Sequence, residues 1–169
     1  MLTADQIKTL FNLKPHPGEG GFFVETYRST ETLSRELLPN RYKGDHSFST
    51  AIYYLLTPGT FSTIHRLRSD EVFHFYLGDP VEMLQLWPDG SGRILILGSD
   101  ILNGMEPQVI VPRGVWQGAR LLKDGRFALS GTTVSPGFEF EDYEMGDRDE
   151  LVKSYPRFRD LIIVLTKNY

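Results

Sequence analysis

Between Ser47 and Val134 the chain is a succession of short β-rich runs, and this rhythm restricts the fold more than any other feature. SFSTAIYYLL, TFSTIHRL, EVFHFYLG, VEMLQLW, RILILG, PQVIVP, VWQGARL and RFALSGTTV follow one another, rich in aromatic and β-branched residues. Turn signals separate them, among them Thr57-Pro58-Gly59, Gly78-Asp79-Pro80, Pro88-Asp89-Gly90 and Lys123-Asp124-Gly125. Runs so short and evenly spaced predict an all-β antiparallel sandwich or barrel rather than a parallel sheet wound with helices. Before them, Thr3-x-x-Gln6 is a capping-box signal, and Ile7, Leu10 and Phe11 follow at helical spacing, so a short N-terminal helix is expected. Pro15-His16-Pro17-Gly18-Glu19-Gly20-Gly21 punctuates too heavily for regular structure, and FFVETYRS after it alternates as a strand. At the other end, Asp147-x-x-Glu150 resembles a helix start, with Pro156 dividing the C-terminal helical segments in two.

A chain of 169 residues is most simply a single domain, 1–169, long enough to bury a core. Its net charge of −4 and the scatter of its 18 basic residues argue against a nucleic-acid partner. No apolar stretch approaches the length that crosses a bilayer, so no membrane partner is expected. The first residues lack a basic start followed by an apolar run, the pattern of a secretion signal. With no cysteine there is no disulfide framework, thiolate metal site or cysteine nucleophile. A cytoplasmic protein is the resulting expectation.

Side chains alternate along a strand, so in TFSTIHRL the residues Phe61, Thr63 and His65 share a face, and in EVFHFYLG Glu71, Phe73 and Phe75 do. Read as two adjacent strands joined by a loop from Arg66 to Asp70, these runs bring His65 and Glu71 together inside a barrel. Phe75 sits beside them as a ligand contact. His74 points outward against another sheet or subunit, and joins the ligand-binding set only if a bulge re-aims it.

These residues carry a resemblance. Gly59, His65, Glu71 and Gly78 fall in register with the first motif of the cupins, and Pro112-Arg113-Gly114-Val115-Trp116-Gln117 resembles the second. EGGFFVETYRST, VPRGVWQGARL and TVSPGFEFEDYEM are similar to the fifth cupin family, a family of unknown function, and the likeness runs from Pro17 to about Met145. It implies a jelly-roll-like antiparallel β-barrel, and the apolar outward positions, such as Val72, fit the homodimer common among cupins. A metal-binding cupin offers three histidines and a glutamate. Here Leu67 stands at the second histidine and Gln117 at the third. Leucine ligates nothing, and a glutamine carbonyl is a poorer ligand than imidazole. No cofactor is therefore expected; the alternative is a loosely bound divalent metal on His65, Glu71 and Gln117.

Without a metal, His65 and Glu71 form an acid–base pair in which the carboxylate favours the charged imidazole. Such a pair can move a proton next to a carbonyl. By fold-level analogy with metal-free sugar-nucleotide epimerases among cupins, one expectation is an isomerase or epimerase acting on a sugar or nucleotide sugar. The other is a non-catalytic module that binds a small polar metabolite. In either case Gln117 points inward and needs a partner, while Trp116 packs on the opposite face. Arg28 offers a planar fork to a carboxylate or phosphate, and Tyr27 offers an acid. The alternative for that strand is a subunit contact with an ordinary ion pair. Arg66 and Arg68, near Asp70, form a solvated salt bridge or recognise phosphate at the barrel mouth. Phe138 and Phe140 close one end of the pocket or cap the core.

Overall fold

The computed structural model describes residues 2–167; Met1, Asn168 and Tyr169, which the single-domain expectation spans, lie outside them. Helix α1 (Ala4–Leu10) opens on the expected capping box: the Gln6 N–H donates to Thr3 Oγ1 at 3.3 Å and the Thr3 N–H to Gln6 Oε1 at 2.9 Å. Thirteen strands follow: β1 (Lys14–Pro15), β2 (Phe22–Arg28), β3 (Thr32–Leu33), β4 (His46–Ser47), β5 (Thr50–Leu56), β6 (Phe61–Arg66) and β7 (Asp70–Gly78). Then come β8 (Val81–Leu86), β9 (Gly92–Leu97), β10 (Gln108–Val111), β11 (Trp116–Leu121), β12 (Ala128–Ser135) and β13 (Glu144–Met145). Helices α2 (Arg148–Ser154) and α3 (Arg159–Val164) finish the order, and the 3₁₀ turn that Pro156 opens separates them. Among the described residues no helix is long and apolar enough to cross a membrane.

Two antiparallel sheets face each other in a jelly-roll-like arrangement. One has six strands in the order β1-β2-β5-β12-β7-β10, the other five in the order β13-β6-β11-β8-β9. The period-two alternation of β5 sends Tyr54 and Leu56 between the sheets and Leu55 to the outer face. Between the sheets, Tyr54, Phe73, Val109 and Val111 meet Val81, Met83, Leu95 and Leu97. Helix α1 covers the outside of the six-stranded sheet, where Ile7 packs with Leu55, Phe127 and Leu129. The C-terminal helices cover the outside of the five-stranded sheet, where Leu151, Leu161, Ile162 and Leu165 bury Ile64, Leu84 and Leu86.

Strands β6 and β7 are not the hydrogen-bonded neighbours that their sequence proximity suggested. The loop between them crosses from one sheet to the other, so β6 pairs with β11 and β13 while β7 pairs with β12 and β10. The Gly114 N–H, donating to Leu67 O at 2.9 Å, anchors that crossing to the turn before β11. His65 and Glu71 therefore approach from opposing walls.

Candidate functional site

Two register shifts decide which side chains reach the interior. Along β6, Gln117 lies opposite His65 but Ala119 lies opposite Ser62, so β6 carries one residue more than β11. The shift places Ser62 on the inner face with His65 and turns Phe61 outward with Ile64, against the C-terminal helices. This corrects the strict alternation that put Phe61 with His65. In β2 the register with β5 shifts between Glu25 and Tyr27. Glu25 and Arg28 consequently both line the cavity, whereas Tyr27 is 55% exposed and stays out of it.

The cavity opens between the sheets, with a volume of about 90 Å³. His65 sits on its wall, 2% exposed. Its Nδ1 lies 2.7 Å from Thr63 O, and a carbonyl only accepts, so Nδ1 carries the hydrogen. Nε2 is then the acceptor, and the Gln117 amide donates to it at 3.3 Å. The second hydrogen of that amide goes to Glu71 Oε2. Gln117 thus joins the pair from the sequence motif, and its partners are protein groups. Tyr143 stacks on the imidazole with ring centroids 4.9 Å apart. Burial holds His65 below the ordinary histidine value, outweighing the opposing pull of Glu71 and the bond to Thr63. The expected charged imidazole is corrected: desolvation wins, and the ring is a neutral base.

A second His–Glu pair faces the first. His16 and Glu19 come from the loop before β2, read in the sequence only as punctuation. Glu19 Oε1 accepts from Ser62 Oγ at 2.5 Å, and its Oε2 lies 3.9 Å from His65 Nε2 and 3.8 Å from His16 Nε2. The Glu19 N–H donates to His16 Nδ1 at 2.9 Å, so His16 turns its Nε2–H toward the carboxylate. Gly20 and Gly21 have φ of +103° and +65°, and a Cβ on Gly20 would lie 2.4 Å from Phe61 O. The Thr63 N–H donates to Glu19 O at 2.9 Å and Tyr54 Oη to Gly20 O at 2.8 Å, fixing the loop to the barrel. Burial pushes both Glu19 and Glu71 above the usual carboxylate range; His16 opposes this for Glu19, and His65 opposes it for Glu71. Burial also lowers His16, against Glu19. A titratable pair in a loop held by two adjacent glycines was the available signal.

Arg28 closes the mouth with each of its three side-chain nitrogens bonded to the protein. Its Nε and Nη2 bond Glu25 at 3.1 and 2.9 Å, Nη1 bonds Glu139 at 2.6 Å, and Nη2 also reaches Phe138 O at 3.1 Å. Phe138 and Phe140 line the same end. Two expected contacts lie elsewhere. His74 faces outward, its Nε2–H donating to Thr133 Oγ1 at 3.2 Å and its Nδ1 accepting from Gln108 at 3.3 Å. Phe75 packs against the apolar core between the sheets and does not line the cavity. Trp116 lies outside the barrel, under the Arg66 guanidinium and against the helix-covered core.

The comparisons with known proteins join this geometry to a family. A profile described as "Cupin superfamily (DUF985)" matches residues 5–146. The chain belongs to the cupin superfamily. An uncharacterised protein of Saccharomyces cerevisiae, YML079W, is 34% identical to this cupin over 142 residues, covering 79% of this chain and 71% of the relative. Protein SO0799 from Shewanella oneidensis superposes with a TM-score of 0.88 at 32% identity, each chain covered completely. A hypothetical protein from Leishmania major gives 0.88 at 28% identity, covering 99% of this chain and 100% of its own.

Many cupins hold a metal on the residues that align with His65, Leu67, Glu71 and Gln117. The donor set here does not fit one. Leu67 offers no lone pair, and Gln117 turns its amide nitrogen, not its oxygen, toward His65 and Glu71. Among the described residues no group of three or more His, Cys, Asp or Glu side chains is placed to hold a metal ion.

Proposed function

We propose that this cupin binds a small polar, carbonyl-bearing metabolite in the barrel and transfers a proton on it without a metal, as an isomerase or epimerase of a sugar-like compound. The observation that supports this most directly is the buried His65, whose hydrogen is committed to Thr63 O and whose Nε2 carries the basic lone pair, held by the Gln117 amide at 3.3 Å until a substrate displaces that bond. In this reading Nε2 takes the proton from the carbon beside the carbonyl. The electron pair of that C–H bond moves onto the carbonyl oxygen as an enolate. A carboxyl of Glu19 or Glu71, which burial shifts toward its protonated form, donates to that oxygen. A proton delivered to the opposite face of that carbon inverts it, and one delivered to the former carbonyl carbon gives the isomer. In either case an enol O–H gives its proton back to the carboxylate as a carbonyl re-forms, with no net redox change.

The test is exchange of carbon-bound hydrogen in D₂O, with a panel of hexose phosphates and nucleoside-diphosphate hexoses. Deuterium uptake by the native chain, lost by at least about 10²-fold in His65→Gln, is the expected result. Uptake undiminished in the variant ends the role given to His65. A panel member that binds but never exchanges favours the alternative of a non-catalytic binding module.

A further inference from the structure

A second cavity, of about 330 Å³, shares Leu67 with the first. Four arginines line it: Arg41, Arg66, Arg68 and Arg113. Only two carboxylates stand against them. Glu144 takes both ends of the Arg66 fork at 2.9 and 2.7 Å, so that charge is matched. Asp142 is shared: its Oδ2 lies 2.5 Å from His46 Nε2, and its Oδ1 lies 3.9 Å from Arg68 Nε. Among the described residues neither Arg41 nor Arg113 has a carboxylate within ion-pair distance. Four guanidinium groups therefore face two carboxylates in the lining, with Asp70 beside Arg113 at its edge, on a chain whose net charge is −4.

The arrangement is built rather than incidental. Arg41 Nε donates to Arg68 O at 3.0 Å, and Arg68 Nη1 donates back to Arg41 O at 2.6 Å. Arg41 also lies over the Tyr42 ring at 4.7 Å. Each guanidinium is thereby held against the other residue's main chain, so the two cations are fixed at the wall of the cavity. Each guanidinium presents a planar fork of donors matched to phosphate oxygens. Arg113 is set at the rim by its own N–H, donating to Asp70 Oδ1 at 2.8 Å, and by Gly114 at φ +77°.

We propose that this cavity is an anion site for the phosphoryl or diphosphoryl group of the ligand whose reacting end enters the first cavity, with which it shares Leu67. The inference rests on the barrel being a small-molecule site, and it narrows the ligand to a phosphorylated metabolite. Calorimetric titration of inorganic pyrophosphate into the full chain at low ionic strength tests it. The native protein binds, and affinity falls steeply with added salt. Arg113→Gln and Arg41→Gln each weaken binding at least about tenfold, whereas Lys153→Gln, the same charge change on an exposed face of α2, leaves it unaltered. Arg113→Gln decides if Arg41→Gln disturbs folding, since among the described residues the Arg113 guanidinium makes no hydrogen bond or ion pair. No binding at millimolar pyrophosphate, or undiminished binding by Arg113→Gln, overturns the proposal. The two readings fail separately: hydrogen exchange without pyrophosphate binding removes the anion site alone, and pyrophosphate binding without exchange removes the proton-transfer reading alone.

Discussion

Burial drives the histidines and carboxylates of this pocket in opposite directions, which gives the pH dependence of stability two limbs. His65 and His16 are held below the ordinary value near 6.5. As pH falls below that value the unfolded chain takes up protons that the folded chain refuses, and stability is lost. Glu71 and Glu19 are held above the carboxylate value of 4.5. Their contribution is complete below that value and is lost as pH rises through the raised folded values. Glu71→Gln keeps an oxygen to accept from Gln117 and removes the buried charge. It is expected to raise the thermal midpoint at pH 8 by about 2–4 °C, on the order of 1 kcal/mol for a chain of this size, with the difference vanishing at pH 4. Calorimetric scans at the two pH values check it; an equal shift at both would deny that the charge is responsible. His65 and Glu71 were legible in the sequence because Gly59, His65, Glu71 and Gly78 share one spacing. The protonation state was not, because it depends on how completely the two sheets exclude water.

At the scale of elements, bulges and one loop decide what the pocket contains. Alternation in FFVETYRS assigns Tyr27 to the face of Phe23 and Glu25. One extra residue gives that place to Arg28, and neither glycine nor proline in the strand announces it. The loop carrying His16 and Glu19 escaped for the opposite reason: its prolines and glycines are so dense that the polar side chains between them read as filler. Gly20 is the element's hinge pin. A Cβ there meets Phe61 O at 2.4 Å, and φ of +103° is open to few residues besides glycine. Gly20→Ala is expected to cost about 1–3 kcal/mol and to free the loop from β6. The measurement is limited proteolysis with urea unfolding: new cleavage between His16 and Gly21 is the expected outcome, and a loop as resistant as the native one would count against the account.

The whole molecule is three apolar layers sharing two sheets, and the five-stranded sheet belongs to two of them. Ile64 is 0% exposed and buries its side chain under the C-terminal helices, while its neighbour His65 faces the cavity. Sheet and helices should therefore unfold together. Ile64→Ala is expected to lose about 2–5 kcal/mol, with fluorescence from Trp116, beside those helices, and far-UV circular dichroism moving at one urea midpoint. Separated midpoints would mean that the helices are an independent layer. This architecture was readable in outline from evenly spaced strands and two flanking helical signals. The crossing of β6 and β7 into different sheets was not, since a short connection between strands reads as a hairpin unless long-range pairing is known.

The extra residue in β6 has a consequence for how such a chain can change over generations. Most turns here, such as Pro88-Asp89-Gly90, can lengthen without altering which side chains face inward. In β6, deleting one residue between Ser62 and His65 would close the bulge and still leave Ser62 opposite Ala119, facing Glu19, with Phe61 outward. What keeps the wall polar is the bulge itself: were β6 to regularise at its present length, strict alternation would bring Phe61 to the face of His65 and exchange the polar wall for an apolar one in a single step.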